Sequence, residues 1–552
     1  MADRPSRRQV LAGAGASALA LSGSTFAARP AVARGVVYRD ERGEGQRRSA
    51  DRGIPGVMVS NGRDVTLTGP DGSWSLLVEP GDSVFVIKPP HWTTRLSPAG
   101  VPQFSYLYHP EGSPGDARGR FPVVEPTGAL PASLDFPLLR REEAPDFEAL
   151  LVSDTQPESL AELTYVRDDI VAAMLNVSGA AFGINHGDVV ADDLSLYPRY
   201  LRILSSTGLP WHHCPGNHDI NYGASDDRFS RETWKRTFGA RRYAFQHGDA
   251  TFFVLDNVEY LGRGRYRGAI GPRQLQFVRS VLAHVPSDRL VVLSMHIPLR
   301  CYLDAGNPAD TTTDWRALLE ALSRHGHTVS FAGHLHATEH HYLEAGPGVL
   351  QDRPHHHHVL TAASGSWWSG PSDHRGIPFA DSSDGTPNGF HVLTVSGNRY
   401  ATRFVPAATK APAQLRVLVE GPHRDTIPAG LGRQTTDRLG LAVPLHVLDQ
   451  CRVIANVFDG GPRTRVTLEV LGHSERVDMA PAAMPDPLIS ELFAGETPRK
   501  AWVAATPSSH LWQAALPAGL APGAHVLLVR ARDEYGRAHL ARTVLEVTPP
   551  SA

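Results

Sequence analysis

Apolar residues recur at helical spacing in three stretches of this chain: Leu163, Val166, Ile170, Val171 and Met174; Leu275, Val278, Val281, Leu282 and Val285; and Leu318, Leu319 and Leu322. Interleaved with them are five short apolar, β-prone runs, each closed by polar residues. The run Leu150-Leu151-Val152-Ser153 ends in Asp154-Thr155-Gln156, and Ala181-Phe182-Gly183-Ile184-Asn185-His186 ends in Gly187-Asp188. Cys214-Pro215-Gly216 leads into Asn217-His218-Asp219, Val291-Val292-Leu293-Ser294-Met295 into His296, and Val329-Ser330-Phe331-Ala332-Gly333 into His334-Leu335-His336. Strands alternating with helices predict an α/β domain over residues 145–405, with its site at the strand ends, where sheets of this class bind ligands.

Outside that stretch the helical period vanishes. Residues 35–125 read as short strands, joined among others by the turns Asn61-Gly62 and Asp71-Gly72, and predict an N-terminal β-sandwich. A Pro-containing connector, roughly 126–145, follows. Beyond Pro412 the runs Gln414–Val419, Cys451–Phe458 and His525–Asp533 alternate as strands do, which predicts a C-terminal β-sandwich over residues 412–548. Three such units suit a chain of 552 residues, which is too long for one core.

The first 33 residues break this pattern. Arg7 and Arg8 precede an uncharged stretch, Gln9 to Ala28, rich in Ala, Gly and Ser and only moderately apolar. This resembles a twin-arginine export signal, with Ala31-Val32-Ala33 as a small-x-small cleavage site and a periplasmic or extracellular destination. The stretch is too weak for a stable membrane span. Its removal leaves 50 basic and 56 acidic side chains, a net charge of −6 that gives no reason to expect nucleic acid or an anionic membrane as partner. Cys214, Cys301 and Cys451 are odd in number and widely spaced, and form neither a zinc pattern nor a disulfide framework.

Asp, Asp, Asn, His and His-x-His delivered in order by five strand ends is what a two-metal hydrolytic centre requires. Asp154-x-Gln156, Gly187-Asp188, Gly216-Asn217-His218-Asp219, His296 and Gly333-His334-x-His336 resemble the signature of the calcineurin-like metallophosphoesterases. The likeness spans roughly residues 147 to 405, and the β-domains on either side are similar to those of an exported bacterial branch of that superfamily. It implies a central four-layer αββα sandwich flanked by the two β-sandwiches. It implies also that Asp154, Asp188 and His336 hold a first divalent transition metal, and that Asp188, Asn217, His296 and His334 hold a second. Gln156 stands where much of the superfamily has His. A neutral amide oxygen there should favour Mn or Fe over tightly held Zn. In the same likeness His218 sits beside the substrate, is oriented by Asp219, and helps protonate the departing oxygen while a hydroxide held between the cations attacks phosphorus in line.

Further along, Trp367, Trp368 and Asn388 resemble substrate-side loop residues of the same branch, the tryptophans offering a stacking wall for a ring. The internal run His355-His356-His357-His358 reads as a strand entrance with alternate rings on opposite faces, in preference to a third metal site. Asn185 and His186 read as packed residues. Tyr222, Asp226 and Asp227 border the pocket or form a solvated loop. The leading expectation is an exported metal-dependent hydrolase of phosphate mono- or diesters, acting on a phosphorylated small molecule or an envelope phosphoester. The rival is an envelope-polymer-binding protein whose central domain is a non-catalytic scaffold.

Overall fold

The computed structural model describes residues 30–113, 120–344, 346, 353–407, 413–422, 441–494 and 500–549. The paired arginines and the uncharged stretch after them lie outside the described residues.

The strand Asp146–Val152 shows how the centre is built. Ala149 and Leu151 point to one face and Leu150 and Val152 to the other, and none is more than 1% exposed. A strand buried on both sides needs a layer against each. Leu150 and Val152 pack with Leu163, Val166 and Ile170 and with Leu201 of the helix Tyr197–Leu204. The first of these helical stretches runs Leu160–Tyr165, widens to a π segment at Val166–Val171, and closes at Ala172–Met174. Ala149 and Leu151 face instead a core shared with Phe182 and Phe252.

Two sheets meet in that core. One has the order Trp211–His213, Ala180–Asn185, Asp146–Val152, Gly389–Ser396, Arg399–Pro406. Its first three strands are parallel and the last two antiparallel. The other has the order Tyr243–His247, Ala250–Val254, Leu290–Ser294, Thr328–Ala332, His355–Val359, Glu339–Leu343. Adjacent residues of Ala250–Val254 report the layering. Phe252 meets Phe182 of the opposite sheet edge to face, with centroids 5.2 Å apart, while Phe253 meets Phe277 of the helix Gly271–Leu282 on the outer side at 5.9 Å. The order is helix, sheet, sheet, helix, the four-layer arrangement expected.

The N-terminal unit is two four-stranded sheets with a two-stranded sheet of Arg95–Leu96 and Pro102–Gln103, and its turns fall at Asn61-Gly62 and Asp71-Gly72 as the sequence predicts. Its strand pairing runs past residues 35–125 at both ends. Ala31, Val32 and Ala33 are paired with Val78, Leu77 and Leu76 in the strand Ala31–Arg39, so cleavage after Ala33 would strip three paired residues from it. At the other end, the connector contains the strand Phe136–Arg140, which runs parallel to Ala31–Arg39 and buries Phe136 and Leu138. A five-residue run with Pro137 inside it carries too little alternation to announce itself. Phe85 of this unit packs on Phe277, so its core is continuous with that of the centre.

The C-terminal unit pairs a four-stranded with a five-stranded sheet around Val453, Ala455, Leu468, Leu527, Val529 and Leu545, and adds a helix, Pro487–Ala494, that the alternation did not foretell. Arg416 ties it to the centre, reaching Asp381 at 2.9 Å and Asp486 at 3.1 Å. No helix among the described residues is long and apolar enough to cross a membrane. Cys214, Cys301 and Cys451 are buried.

Candidate metal centre

Three of the five strand ends that carry the motifs leave ordinary backbone geometry. Asp154, Gln156, Asp188, His334 and His336 have φ of 52°, 36°, 49°, 77° and 52°. Side chains other than glycine adopt this left-handed region rarely, at about 1–3 kcal/mol each, and such residues cluster where function over-determines the backbone. The glycines beside them act in two ways. Gly187 itself turns left-handed, with φ of 98°. Gly216 has an ordinary φ of −105°, and what its missing side chain permits is close approach, because a Cβ there would lie 2.1 Å from Asp188 Oδ1. Gly333 likewise leaves room for Asp154, whose Oδ2 would be 2.3 Å from a Cβ.

Hydrogen bonds on the outer side of each ligand set which atom faces inward. His296 Nδ1 lies 2.9 Å from the His186 carbonyl, leaving Nε2 at 3.0 Å from Asn217 Oδ1 and 3.3 Å from Asp188 Oδ1. His334 Nε2 donates to the Ala309 carbonyl at 3.0 Å, which leaves Nδ1 free. His336 Nδ1 is held by the Gly365 carbonyl, which leaves Nε2. The Gln156 amide nitrogen donates to Asp188 Oδ2 at 2.6 Å, so its oxygen points the other way. Carbonyl-held imidazoles of this kind are the usual outer support of metal ligands.

What faces inward has nothing to bond. Asp154 Oδ1, Gln156 Oε1, His334 Nδ1 and His336 Nε2 are buried without a hydrogen-bond partner, and Asp154 Oδ1 and His336 Nε2 lie 3.8 Å apart. Each such atom costs about 1–3 kcal/mol if left unsatisfied, and two acceptors facing one another cost more. Asp188, His296 and His334 offer ligand atoms within 4.8 Å of one another. Cations fit this donor set, because every orphaned atom is a lone pair.

The charges agree. Burial opposes ionisation of Asp188, but His296 and His218 outweigh it and hold its carboxyl well below the usual range. Burial lifts Asp154 to about 6, partly offset by His296 and reinforced by Asp188, and it pushes His336 down to about 3. His296 is raised to about 9, the Asp188 carboxylate overcoming the effect of burial. Positive charge is wanted beside Asp188.

His218 stands at the rim, with its side chain 33% exposed and Nε2 4.0 Å from Asp188 Oδ2. The expected orientation by Asp219 is corrected. His218 Nδ1 bonds Asp192 Oδ1 at 2.8 Å, whereas Asp219 is fully buried and accepts Gly216 N–H at 2.9 Å, Val189 N–H at 3.2 Å and Tyr197 O–H at 2.9 Å. A carboxylate inside the one-turn helix Asn217–Asp219 folds back on its own start and cannot reach the ring of its neighbour. Asp192, also left-handed at φ of 63°, carried no sequence signal beyond lying four residues after Asp188.

Of the expected substrate-side residues only Trp367 reaches the centre, stacked on the His336 ring at 3.8 Å. Trp368 is 2% exposed, packs with Tyr165 and belongs to the core under the first sheet. Asn388 is 3% exposed and donates to Asp169 at 2.8 Å and to the Ala363 carbonyl, a tether for the loop instead of a substrate contact. Trp502, 54% exposed, comes from the C-terminal unit to meet Trp367 edge on at 6.4 Å, and no local pattern pointed to it. Tyr222 borders the site by donating to the Asn217 carbonyl at 2.7 Å. Asn185 and His186 are buried supports, the former accepting the Gly187 N–H at 2.9 Å.

Layers, strand-end ligands and orphaned lone pairs together define a metal-dependent phosphoric ester hydrolase. Residues 148–338 match the family model of the calcineurin-like phosphoesterase and residues 357–539 that of the C terminal of calcineurin-like phosphoesterase. The second match begins inside the central sheets, at the strand His355–Val359, and runs on into the C-terminal unit. A purple acid phosphatase isolated from yellow lupin (Lupinus luteus) seeds is a similar solved structure, at 12% identity over 70% of this chain and 68% of that one, with a TM-score of 0.35. No curated protein matches the sequence.

Proposed function

We propose that the chain is an exported phosphoesterase that uses a pair of divalent cations to hydrolyse a phosphate mono- or diester. One observation carries the reading: the unpartnered atoms Asp154 Oδ1, Gln156 Oε1, His334 Nδ1 and His336 Nε2 occur at the positions the motifs single out. Asp154, Gln156 and His336 would hold one ion, Asn217, His296 and His334 the other, with Asp188 shared. Bound there, the ions would supply Lewis-acid polarisation of the phosphoryl group and a ready nucleophile at neutral pH.

The remaining chemistry belongs to side chains. Burial would lower the His218 pKa, but Asp188 and Asp192 oppose it, and the Asp192 carboxylate at Nδ1 favours the protonated ring. With Nδ1 engaged by Asp192, the proton on Nε2 is the one available to a departing oxygen. Trp367 and Trp502 form an aromatic edge beside His336, suited to the ring of an alcohol leaving group. Support for export is the pairing of Arg7 and Arg8 ahead of the uncharged stretch.

A phosphate-release screen of small phosphorylated metabolites, together with p-nitrophenyl and bis-p-nitrophenyl phosphate under Mn²⁺, Zn²⁺ or Fe²⁺, tests the reading. Metal-dependent release from at least one ester class is expected. Absence of turnover in metal-loaded protein across both classes would overturn it.

A further inference from the structure

A second group of inward-facing ligands lies away from the site described above. In the strand His355–Val359 all side chains are buried and the rings alternate. His355 and His357 turn to Ser330, while His356 and His358 turn to the opposite face. There His358 is paired directly across from His340 of Glu339–Leu343, the two rings stacked at 4.0 Å. His391, from the Gly389–Ser396 strand of the other sheet, closes on the same point, and so does Asp459, from the turn after the C-terminal strand Arg452–Val457.

All three imidazoles aim Nε2 at one oxygen. His340, His358 and His391 place that atom 3.3, 3.0 and 3.2 Å from Asp459 Oδ1. A carboxylate oxygen has lone pairs for two such donors. His358 Nε2 makes no hydrogen bond there despite its proximity, and His358 Nδ1 and His391 Nδ1 are also buried without partners. His340 is held from behind, its Nδ1 2.9 Å from His356 Nε2, and His356 Nδ1 in turn is 2.8 Å from the Tyr400 hydroxyl. His340 and His391 already fill the two lone pairs of Asp459 Oδ1, and the buried His358 Nε2 is left beside them without a partner.

We propose that His340, His358 and Asp459, with His391 beside them, form a third metal site, structural in role and suited to zinc. Ligand atoms of His340, His358 and Asp459 lie within 4.8 Å of one another. A tetrahedron of bonds of about 2.0–2.1 Å has edges of about 3.3–3.4 Å, close to the nitrogen–oxygen separations found here, and imidazole with carboxylate is a zinc-compatible donor set. At the first centre the His296–Asp188 separation is also 3.3 Å. The three histidines are 0% exposed and Asp459 8%, so no open position is left for a substrate. Structural sites are closed in this way. The ion would lock together both central sheets and the C-terminal unit. The close approach of the Asp459 turn depends on Gly461, where a Cβ would lie 2.8 Å from His340 Cβ.

The experiment is metal analysis of the full chain loaded with zinc and dialysed, with anomalous diffraction at the zinc edge to place each ion. The expected result for the wild type is one ion per chain beyond those at Asp188, with an anomalous peak among His340, His358 and Asp459. His358→Ala and Asp459→Asn should each lose that ion alone, while Asp154→Ala should keep it. An imidazolium–carboxylate cluster without metal gives no peak there and overturns the proposal, as does equal zinc content in His358→Ala and wild type. If the variants fail to fold, the anomalous map of the wild type decides by itself. Because peaks are assigned by position, a result here is separate from the occupancy of the Asp188 centre.

Discussion

Asp192 holds the Nδ1 edge of the His218 ring at 2.8 Å, and the acidic neighbour in sequence, Asp219, points away into the fold to bond Gly216, Val189 and Tyr197. The two aspartates therefore do different work, one orienting the His218 ring and one shaping the turn that presents Asn217. His218→Ala should lower kcat by ~10²–10⁴-fold with metal content unchanged. Asp192→Asn should lower kcat less and move the basic limb of the pH–rate profile to lower pH, because a carboxylate that raises the ring's pKa is gone. Steady-state kinetics on metal-assayed protein check both. Near wild-type turnover in His218→Ala would refute the role.

Gly216→Ala isolates packing at the centre from chemistry. The backbone there suits any residue, but the added Cβ would stand 2.1 Å from Asp188 Oδ1 and 2.2 Å from its backbone nitrogen. Overpacking of this kind costs ~1–3 kcal/mol. The variant should fold with a lowered melting temperature and bind fewer ions per chain, as read by metal analysis. Full metal content in Gly216→Ala would contradict the placement of Asp188.

Trp502 tests the aromatic edge. It is half-exposed and outside the metal shell, so Trp502→Ala should leave metal content and folding unchanged. For an aryl phosphate, loss of an aromatic contact worth ~0.5–1.5 kcal/mol should raise KM a few-fold. An unchanged KM for both p-nitrophenyl esters would remove Trp502 from the binding surface.

Acid sensitivity should come partly from buried neutral histidines. Burial pushes His213 and His355 down to about 3 in the folded chain, against about 6.5 when unfolded. The unfolded chain therefore takes up protons that the folded chain refuses. Their contribution to stability is complete above about pH 6.5 and is lost as pH falls through about 3. Between those limits each ring costs on the order of 1 kcal/mol of stability per pH unit as pH falls. Urea unfolding across this range should show a shallower slope for His355→Gln than for wild type, and equal slopes would argue against the assignment.

The layers were legible in the sequence because period and chemistry coincide. Leu163 to Met174 and Leu275 to Leu282 mark helices by spacing, and Asp154, Asp188, Asn217, His296 and His334 each follow an apolar run that is too short for anything but a buried strand. What was not legible depends on contacts distant in sequence. The partner of His218 is 26 residues away, and Trp502 comes from another unit. Trp367 and Trp368 are adjacent and identical in type, yet one stacks on His336 and the other fills the core. Local pattern does not tell which of two neighbours faces in. The strand Phe136–Arg140 was hidden for the reason already given, its shortness, and its pairing partner is about a hundred residues earlier, at Val37 to Arg39.

The central claim is that Asp188 is shared between two cations. Anomalous diffraction from crystals grown with excess manganese tests it most directly. The account predicts two peaks flanking the Asp188 carboxylate, one bounded by Asp154, Gln156 and His336 and the other by Asn217, His296 and His334. A single peak, or none, at Asp188 in manganese-soaked crystals would contradict it.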